Sequence, residues 1–343
     1  MATLIGTNTI TSIARHWIMP EITDNIYGSN VVLYRLMAMN KRQQQGGEHI
    51  EAPMMYARFN SGGAYRGFQT FNTTPSDTLK NAAWDWKQYY VSWSVDGLTL
   101  LKADSPDSIV NFLTFQAAQA KMEMSEHLAR GLFGDALGTA AGINASPAGN
   151  IEIDGLAGLI GTGSSIGNQN YGGLDRTTNT WWNSSVQGIS STATMSINNL
   201  NSNFHAATRG GNHPTLIVSG QDQYNRFYNL NAGTAGYSVQ YDRQPMGHDS
   251  LLASAGFTNL LFNNTPWVVD SHVGQGVVDA NNSRVYFLNE NFLTWVVAKR
   301  ADFYLKPFQE PANQDAMVAS ILWAGNLVCT NPSQQGGVFN YNA

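Results

Sequence analysis

Apolar positions recur every three or four residues in one long stretch: Ile109, Leu113, Ala117, Ala120, Met124 and Leu128. That spacing lays one apolar stripe along an α-helix. Ser105 stands where an N-cap belongs, Pro106 suits the first helical position, Asp107 suits the positive end of the dipole, and Gly134 offers a stop. The pattern predicts a helix over 105–134, roughly 40 Å long at about 1.5 Å per residue. A helix of that length is a backbone element, not a connector.

Upstream the period shortens to two. Residues 48–98 read as β: His49 to Arg58 alternates partly around Pro53, Gly62-Gly63 and Thr74-Pro75 punctuate the run, and Trp84 to Val95 forms a return limb rich in aromatic and β-branched residues. Unbroken alternation would put Trp84, Trp86 and Tyr90 on one face and Tyr89, Val91, Trp93 and Val95 on the other. Both faces then carry large apolar groups. A two-stranded ribbon is marginal alone in water, so it needs cover on both sides, and a neighbouring subunit is one source. Tyr65, Arg66, Phe68, Trp84, Trp86, Tyr89, Tyr90 and Trp93 are the candidate contact residues.

The other segments are less regular. Residues 1–47 mix polar and apolar positions, with Trp17, Ile22, Ile26, Val31, Val32 and Leu36 as anchors of an arm with one or two short helices, ended by Gln43-Gln44-Gln45-Gly46-Gly47. Residues 138–215 are rich in Gly, Ala, Ser, Thr and Asn, and a helix is expected from near Thr194 toward Thr208. Residues 214–272 suggest a compact α/β unit. In it Pro214-Thr215-Leu216-Ile217-Val218 is a short buried strand and Gln221–Asn229 a helix. Leu260–Phe262 and Trp267–Val269 form a hairpin whose Asn263-Asn264 turn supplies positive φ. Val285–Leu288, Trp295–Val297 and Met317–Val328 read as strands. The stretch after Pro332 reads as a flexible or edge-bound tail.

Composition narrows the function classes. Of the 343 residues 43% are hydrophobic, enough for a sizeable core, but only 13% are charged, about half the usual ~25%. Asn, Gln, Ser, Thr and Gly fill the gap, giving a polar surface that repels its own copies weakly. The net charge of −5 comes without any basic block, which argues against a sequence-reading DNA-binding protein. The single cysteine, Cys329, excludes an intrachain disulfide and reads as a small buried apolar residue. No targeting segment or membrane-length apolar run is evident.

Candidate chemistry is thin. Gly161-Thr162-Gly163-Ser164-Ser165-Ile166-Gly167 has the wrong spacing for a dinucleotide fingerprint and no Lys-Ser/Thr for a phosphate loop, so it reads as a plain loop. The seven histidines, His16, His49, His127, His205, His213, His248 and His272, show no metal-ligand spacing, and His127 reads as polar-face decoration. Ser219 follows a strand, as a nucleophile might be placed, but reads better as the N-cap of the next helix. The nine tryptophans could stack on sugars, yet packing and protein contacts explain them better. No catalytic group, cofactor or metal is expected.

The order of these elements, more than any one motif, resembles the major capsid proteins of tailed bacteriophages, the Hong Kong 97-type fold. The local likeness lies in Gly155-Leu156, in Tyr171-Gly172-Gly173-Leu174-Asp175-Arg176 with Trp181-Trp182, and in Pro214–Val218. It continues in Tyr286-Phe287-Leu288-Asn289, Pro307-Phe308 and Gly325-Asn326-Leu327-Val328. The resemblance implies an α+β chain divided into an N-terminal arm (1–47) and an extended β-hairpin loop lying over an adjacent subunit (48–98). A peripheral domain with a spine helix at 105–134 and a Gly-rich connector (99–199) would follow, then an axial α/β domain (200–282), a return to the peripheral domain (283–331) and a tail (332–343). It further implies hexamers and pentamers closing an icosahedral head around double-stranded DNA, assembled in the host cytoplasm. The implied partners are further copies, a portal protein, a separate scaffolding protein, a possible decoration protein and loosely held DNA, with no membrane. The arm has no long charged helical prefix of the kind some members lose by proteolysis. Nor do Lys80, Lys87 and Lys102 by themselves establish the Lys–Asn links that some members form. An encapsulin-like compartment shell and a carbohydrate-binding or hydrolytic β protein are the competing readings.

Overall fold

The computed structural model describes residues 30–44, 46–98, 106–134, 151–162, 168–187, 195–233, 260–273, 284–311 and 314–338. Trp17, Ile22 and Ile26 of the expected arm, the Ser105 cap, residues 135–150 of the connector and residues 163–167 of the glycine loop lie outside them. Two sheets and one long helix organise the rest. The first sheet is built on β14 (Ala316–Cys329). On one side β4 (Lys87–Asp96) runs antiparallel to it, from Lys87 opposite Gly325 to Asp96 opposite Ala316. Along the other side lie β12 (Leu293–Ala298) and β13 (Tyr304–Gln309), with β1 (Lys41–Gln44) added parallel to β12. Trp295 and Trp323 meet at 5.2 Å on its inner face, and Tyr89 adds an edge-on contact to Trp323 at 5.9 Å.

The long helix α2 (Pro106–Phe133) covers this aromatic layer. Of its predicted stripe, Ala120, Met124 and Leu128 are buried, joined by Ala129, Leu132 and Phe133. Gly134 N–H bonds to the Gly131 carbonyl as the helix ends. Before it, α1 (Val31–Met39) buries Val31, Val32, Leu33 and Leu36. This corrects the expectation of an arm over 1–47: residues 31–39 and β1 are part of the subunit's own framework. Arg35, at 4% exposure, holds Glu290 in a two-pronged ion pair, with Nη2 2.8 Å from Oε2. Thr215 Oγ1 donates to the same carboxylate at 2.8 Å.

The second sheet has the order β7-β15-β11-β8-β10-β9, from Ser185–Gln187, Gly336–Val338, Val285–Leu288, Leu216–Ser219, Thr265–Val269 and Leu260–Phe262 respectively. Both faces are covered, so β8 and β11 read as continuous apolar runs. Leu216, Val218, Tyr286 and Leu288 join the large core shared with the first sheet, where Phe133 of α2 lies 5.9 Å from Tyr286. Ile217, Val285, Phe287 and Trp267 face a smaller core with α4 (Ile197–Ala207) and α5 (Gln221–Gly233), in which Phe227 stacks on Trp267 at 4.3 Å. The Asn263-Asn264 turn has φ of 47° and 62°, the left-handed pair predicted for this hairpin. Among the described residues no helix is long and apolar enough to cross a membrane.

Ser196 caps α4 by accepting from Asn199 N–H, so this helix begins close to the expected position. Three expectations about connections are revised. Ser219 belongs to β8 and is not the helix cap: its hydroxyl accepts from Trp267 Nε1 at 2.7 Å, and the Gly220 carbonyl takes the first helical bond, from Tyr224. The expected tail is no tail over 332–338. Pro332–Gln335 is buried, and Gly336–Val338 inserts between β7 and β11, parallel to the first and antiparallel to the second. The chain also crosses between sheets at Glu290–Phe292, later than the expected boundary at 283, since β11 still pairs with β8.

Replacing Arg35 with Met should strand the Glu290 carboxylate and cost about 3–5 kcal/mol. The double replacement with Glu290→Leu should recover most of that loss, as read from urea denaturation midpoints.

Candidate subunit interface

A hairpin of β2 (Ile50–Met55) and β3 (Leu79–Trp84) carries an excursion out of the body, with register from Ile50 opposite Trp84 to Met55 opposite Leu79. Between them, residues 57–75 are exposed throughout. Phe68 is fully exposed, and Phe59, Tyr65 and Phe71 are 74%, 65% and 67% exposed. The tip is nonetheless built. Gly67 takes φ of 54°, Arg66 N–H donates to Gln69 Oε1 at 3.3 Å, and Phe71 meets Tyr65 edge-on at 5.1 Å. Leaving several large rings in water forgoes roughly 1.5–3 kcal/mol each relative to burial. Large exposed apolar patches are uncommon on monomeric proteins.

The base of the excursion is anchored in the subunit. Tyr56 stacks on Trp181 at 5.7 Å with Lys80 above its ring, and Lys80 Nζ donates to Asn179 Oδ1 at 2.6 Å. Trp84 is 2% exposed and lies edge-on to Tyr171 at 5.8 Å. The turn between β5 (Asn170–Tyr171) and β6 (Leu174–Asp175) closes over it: Gly172, at φ of 59°, would bring any Cβ to 2.9 Å from the Trp84 ring. Arg176, fully buried, holds that turn by donating to the carbonyls of Gly158 and Leu159 in the short helix α3 (Leu156–Leu159) and of Gly161, and by facing the Tyr171 ring. With no carboxylate among these partners, burial lowers its pKa to about 10.

The single alternating ribbon expected over Trp84–Val95 is therefore corrected. The strand breaks at Asp85-Trp86, β3 stays with β2, and β4 joins β14. The break shifts the alternation by one residue, so Trp84 and Trp86 turn inward with Tyr89, Val91, Trp93 and Val95, while Tyr90 turns out at 65% exposure. Trp86 Nε1 donates to the Gly47 carbonyl, Tyr89 Oη accepts from Ile153 N–H at 3.2 Å, and Trp93 lies edge-on to Phe308. Of the eight candidate residues, Tyr65, Arg66, Phe68 and Tyr90 are exposed, Trp86, Tyr89 and Trp93 are half-buried on their own subunit, and Trp84 is consumed inside it. Phe59 and Phe71 complete the exposed group. Their signal was available, as aromatic residues set among Gly, Ser, Thr and Asn.

A cleft of about 460 Å3 lies between β1 and β2 and is lined by Arg42, His49, Glu48 and Glu51 among others. The eight described tryptophans are buried or half-buried, and none of them is largely exposed. His127 is half-buried rather than decorative, 3.6 Å from Glu123. Cys329 is buried as expected, which pushes its thiol pKa up to about 12.

One ionisable cluster ties α2 to the second sheet. His272, 1% exposed, places Nδ1 3.0 Å from Asp270 Oδ1 and Nε2 2.7 Å from Glu126 Oε1. Asp270 also accepts from Val32 N–H at the start of α1. The imidazole sits between the carboxylates instead of converging with them, and among the described residues no metal-ligand cluster exists. Burial opposes the imidazolium, but hydrogen bonds from both ring nitrogens outweigh it and raise the His272 pKa.

No protein-family model and no curated protein sequence matches the chain. Solved structures do. A chain of the cyanophage A-1(L) capsid asymmetric unit superposes with a TM-score of 0.66 at 15% identity, over 94% of this chain and 96% of that one. The protein has a phage-capsid fold. The capsid of Myoviridae phage XM1 agrees, with a TM-score of 0.54, 11% identity and coverage of 98% and 99%. So does the capsid of the native GTA particle, at 0.57, 10%, 95% and 97%. At these identities the capsid likeness is one of backbone path.

A raised histidine pKa contributes stability that is complete below the unfolded value near 6.5 and lost as pH climbs through the folded value. The melting temperature should therefore fall as pH rises above neutrality. His272→Gln should be less stable by about 3 kcal/mol at pH 6 and should lack that alkaline loss, as measured by calorimetry.

Proposed function

We propose that this chain is the major capsid protein of a tailed bacteriophage, built on the Hong Kong 97-type plan and assembling as hexamers and pentamers into an icosahedral head around double-stranded DNA. The observation that carries the reading is the near-complete superposition on capsid chains, covering 94% of this chain and 96% of the cyanophage subunit. In this reading the first sheet with α2 is the peripheral domain and α2 its spine. The second sheet with α4 and α5 is the axial domain, and the excursion between β2 and β3 lies over an adjacent subunit. The exposed aromatic tip supports that role, because neighbouring copies would supply the cover the lone subunit lacks. Its low charge content suits dense packing of copies, and the net charge of −5 without a basic block suits loosely held, releasable DNA. A portal protein, a separate scaffolding protein and, on the outer face, a decoration protein complete the proposed partners. The role is structural rather than enzymatic, and the place of action is the virion, assembled in the host cytoplasm.

Purified full-length protein, with scaffolding protein supplied where needed, should form closed shells visible by electron microscopy. Replacing Phe59, Tyr65, Phe68 and Phe71 with Ser should reduce shell yield at least tenfold while leaving the circular dichroism spectrum unchanged. A wild-type chain that stays folded and monomeric at high concentration in sedimentation would overturn the reading.

A further inference from the structure

Arg176 carries a buried charge that its neighbours do not cancel. The side chain is fully buried, and a charge so dehydrated is ordinarily paired with one of opposite sign. Its hydrogen bonds go instead to neutral carbonyls, those of Gly158 and Gly161 at 3.3 Å each and that of Leu159. The ionisable groups beside it are Tyr171 and Cys329. Burial pushes both of their pKa values upward, so phenol and thiol stay protonated and supply no counter-charge.

Three buried donors in this region find no acceptor among the described residues: Arg176 Nε, Trp84 Nε1 and the Tyr171 hydroxyl. A buried donor left unbonded is costly, and a charged one more so. The three side chains form one cluster. The guanidinium carbon lies 5.1 Å from the centre of the Tyr171 ring, the Trp84 ring stands edge-on to Tyr171 at 5.8 Å, and the Trp84 N–H is turned toward the Tyr171 hydroxyl.

We propose that a small monovalent anion of the halide class binds between Arg176, Trp84 and Tyr171. A halide accepts from all three donors and cancels the guanidinium charge at the same time. A water molecule would also accept, but would leave that charge standing. Phosphate or sulfate would add bulk and a second negative charge. The site lies at the root of the excursion: Trp84 ends β3, Gly172 closes over its ring, and Ala83 N–H donates to the Gly172 carbonyl at 3.0 Å. The ion therefore fastens β3 to the turn between β5 and β6. The inference concerns the folded subunit alone and is independent of the capsid reading.

Two measurements on the full chain test this. In thermal melts at equal ionic strength, replacing sodium gluconate, whose anion is too large for the site, with sodium bromide should raise the melting temperature by several degrees, because a ligand of the folded state stabilises it. Trp84→Phe keeps an aromatic ring and removes one donor, so it should weaken bromide binding about tenfold, the loss expected for a hydrogen bond to a charged group. In crystals of the wild-type protein grown from sodium bromide, anomalous scattering should place a bromide within hydrogen-bond distance of Arg176 Nε. Equal melting temperatures in gluconate and bromide, an equal shift in wild type and Trp84→Phe, or no anomalous signal beside Arg176 would overturn the assignment.

Discussion

The pairing of β4 with β14, Lys87 opposite Gly325 through Asp96 opposite Ala316, is the interaction on which the subunit depends. It places Tyr89 against Trp323 and gives α2 a surface to bury its stripe on. It also decides where the preceding strand must leave the body. Because β14 has β4 on one side and β12 and β13 on the other, its second half is buried almost throughout. The hairpin of β2 and β3, in contrast, pairs with no third strand among the described residues; Tyr171 and Gly172 hold it near Trp84, and Trp181 and Asn179 hold it at Tyr56 and Lys80.

Beside the core they share, three unlike contacts tie the two sheets to the helices and turns around them. Phe133 against Tyr286 is apolar, Arg35 with Glu290 is a buried ion pair, and His272 between Asp270 and Glu126 is a titratable bridge. The apolar contact tolerates small sliding. The buried ion pair does not, since separating it would strand charge in a dry environment. The histidine bridge makes the joint sensitive to protonation.

The subunit divides its aromatic residues by role. Trp84, Trp182, Trp267, Trp295 and Trp323 are sealed inside. Phe59, Tyr65, Phe68, Phe71 and Tyr90 stay in water. In the proposed head, a chain this poor in charge would meet its own copies with little repulsion, and the exposed rings would give direction to contacts that low charge alone leaves unspecific.

What local pattern could determine, it did. The long helix, the Asn263-Asn264 hairpin, the buried strands at Leu216–Ser219 and Val285–Leu288 and the long β14 were legible, because helix stripes, left-handed turn residues and apolar runs are properties of neighbouring residues. The exposed aromatic tip was legible in part: Tyr65, Arg66 and Phe68 stood out, while Trp84 was misplaced. Only the tertiary structure decided the break at Asp85-Trp86. Trp84 is held by Gly172 and Tyr171 and the next strand is held by β14, and those partners lie far along the chain. The same holds for Lys41–Gln44, with no apolar face, which becomes a strand by pairing with β12, and for Gly336–Val338, which enters a sheet between β7 and β11. Residues without a strong local preference take the conformation their distant neighbours leave open, and that choice is made by packing.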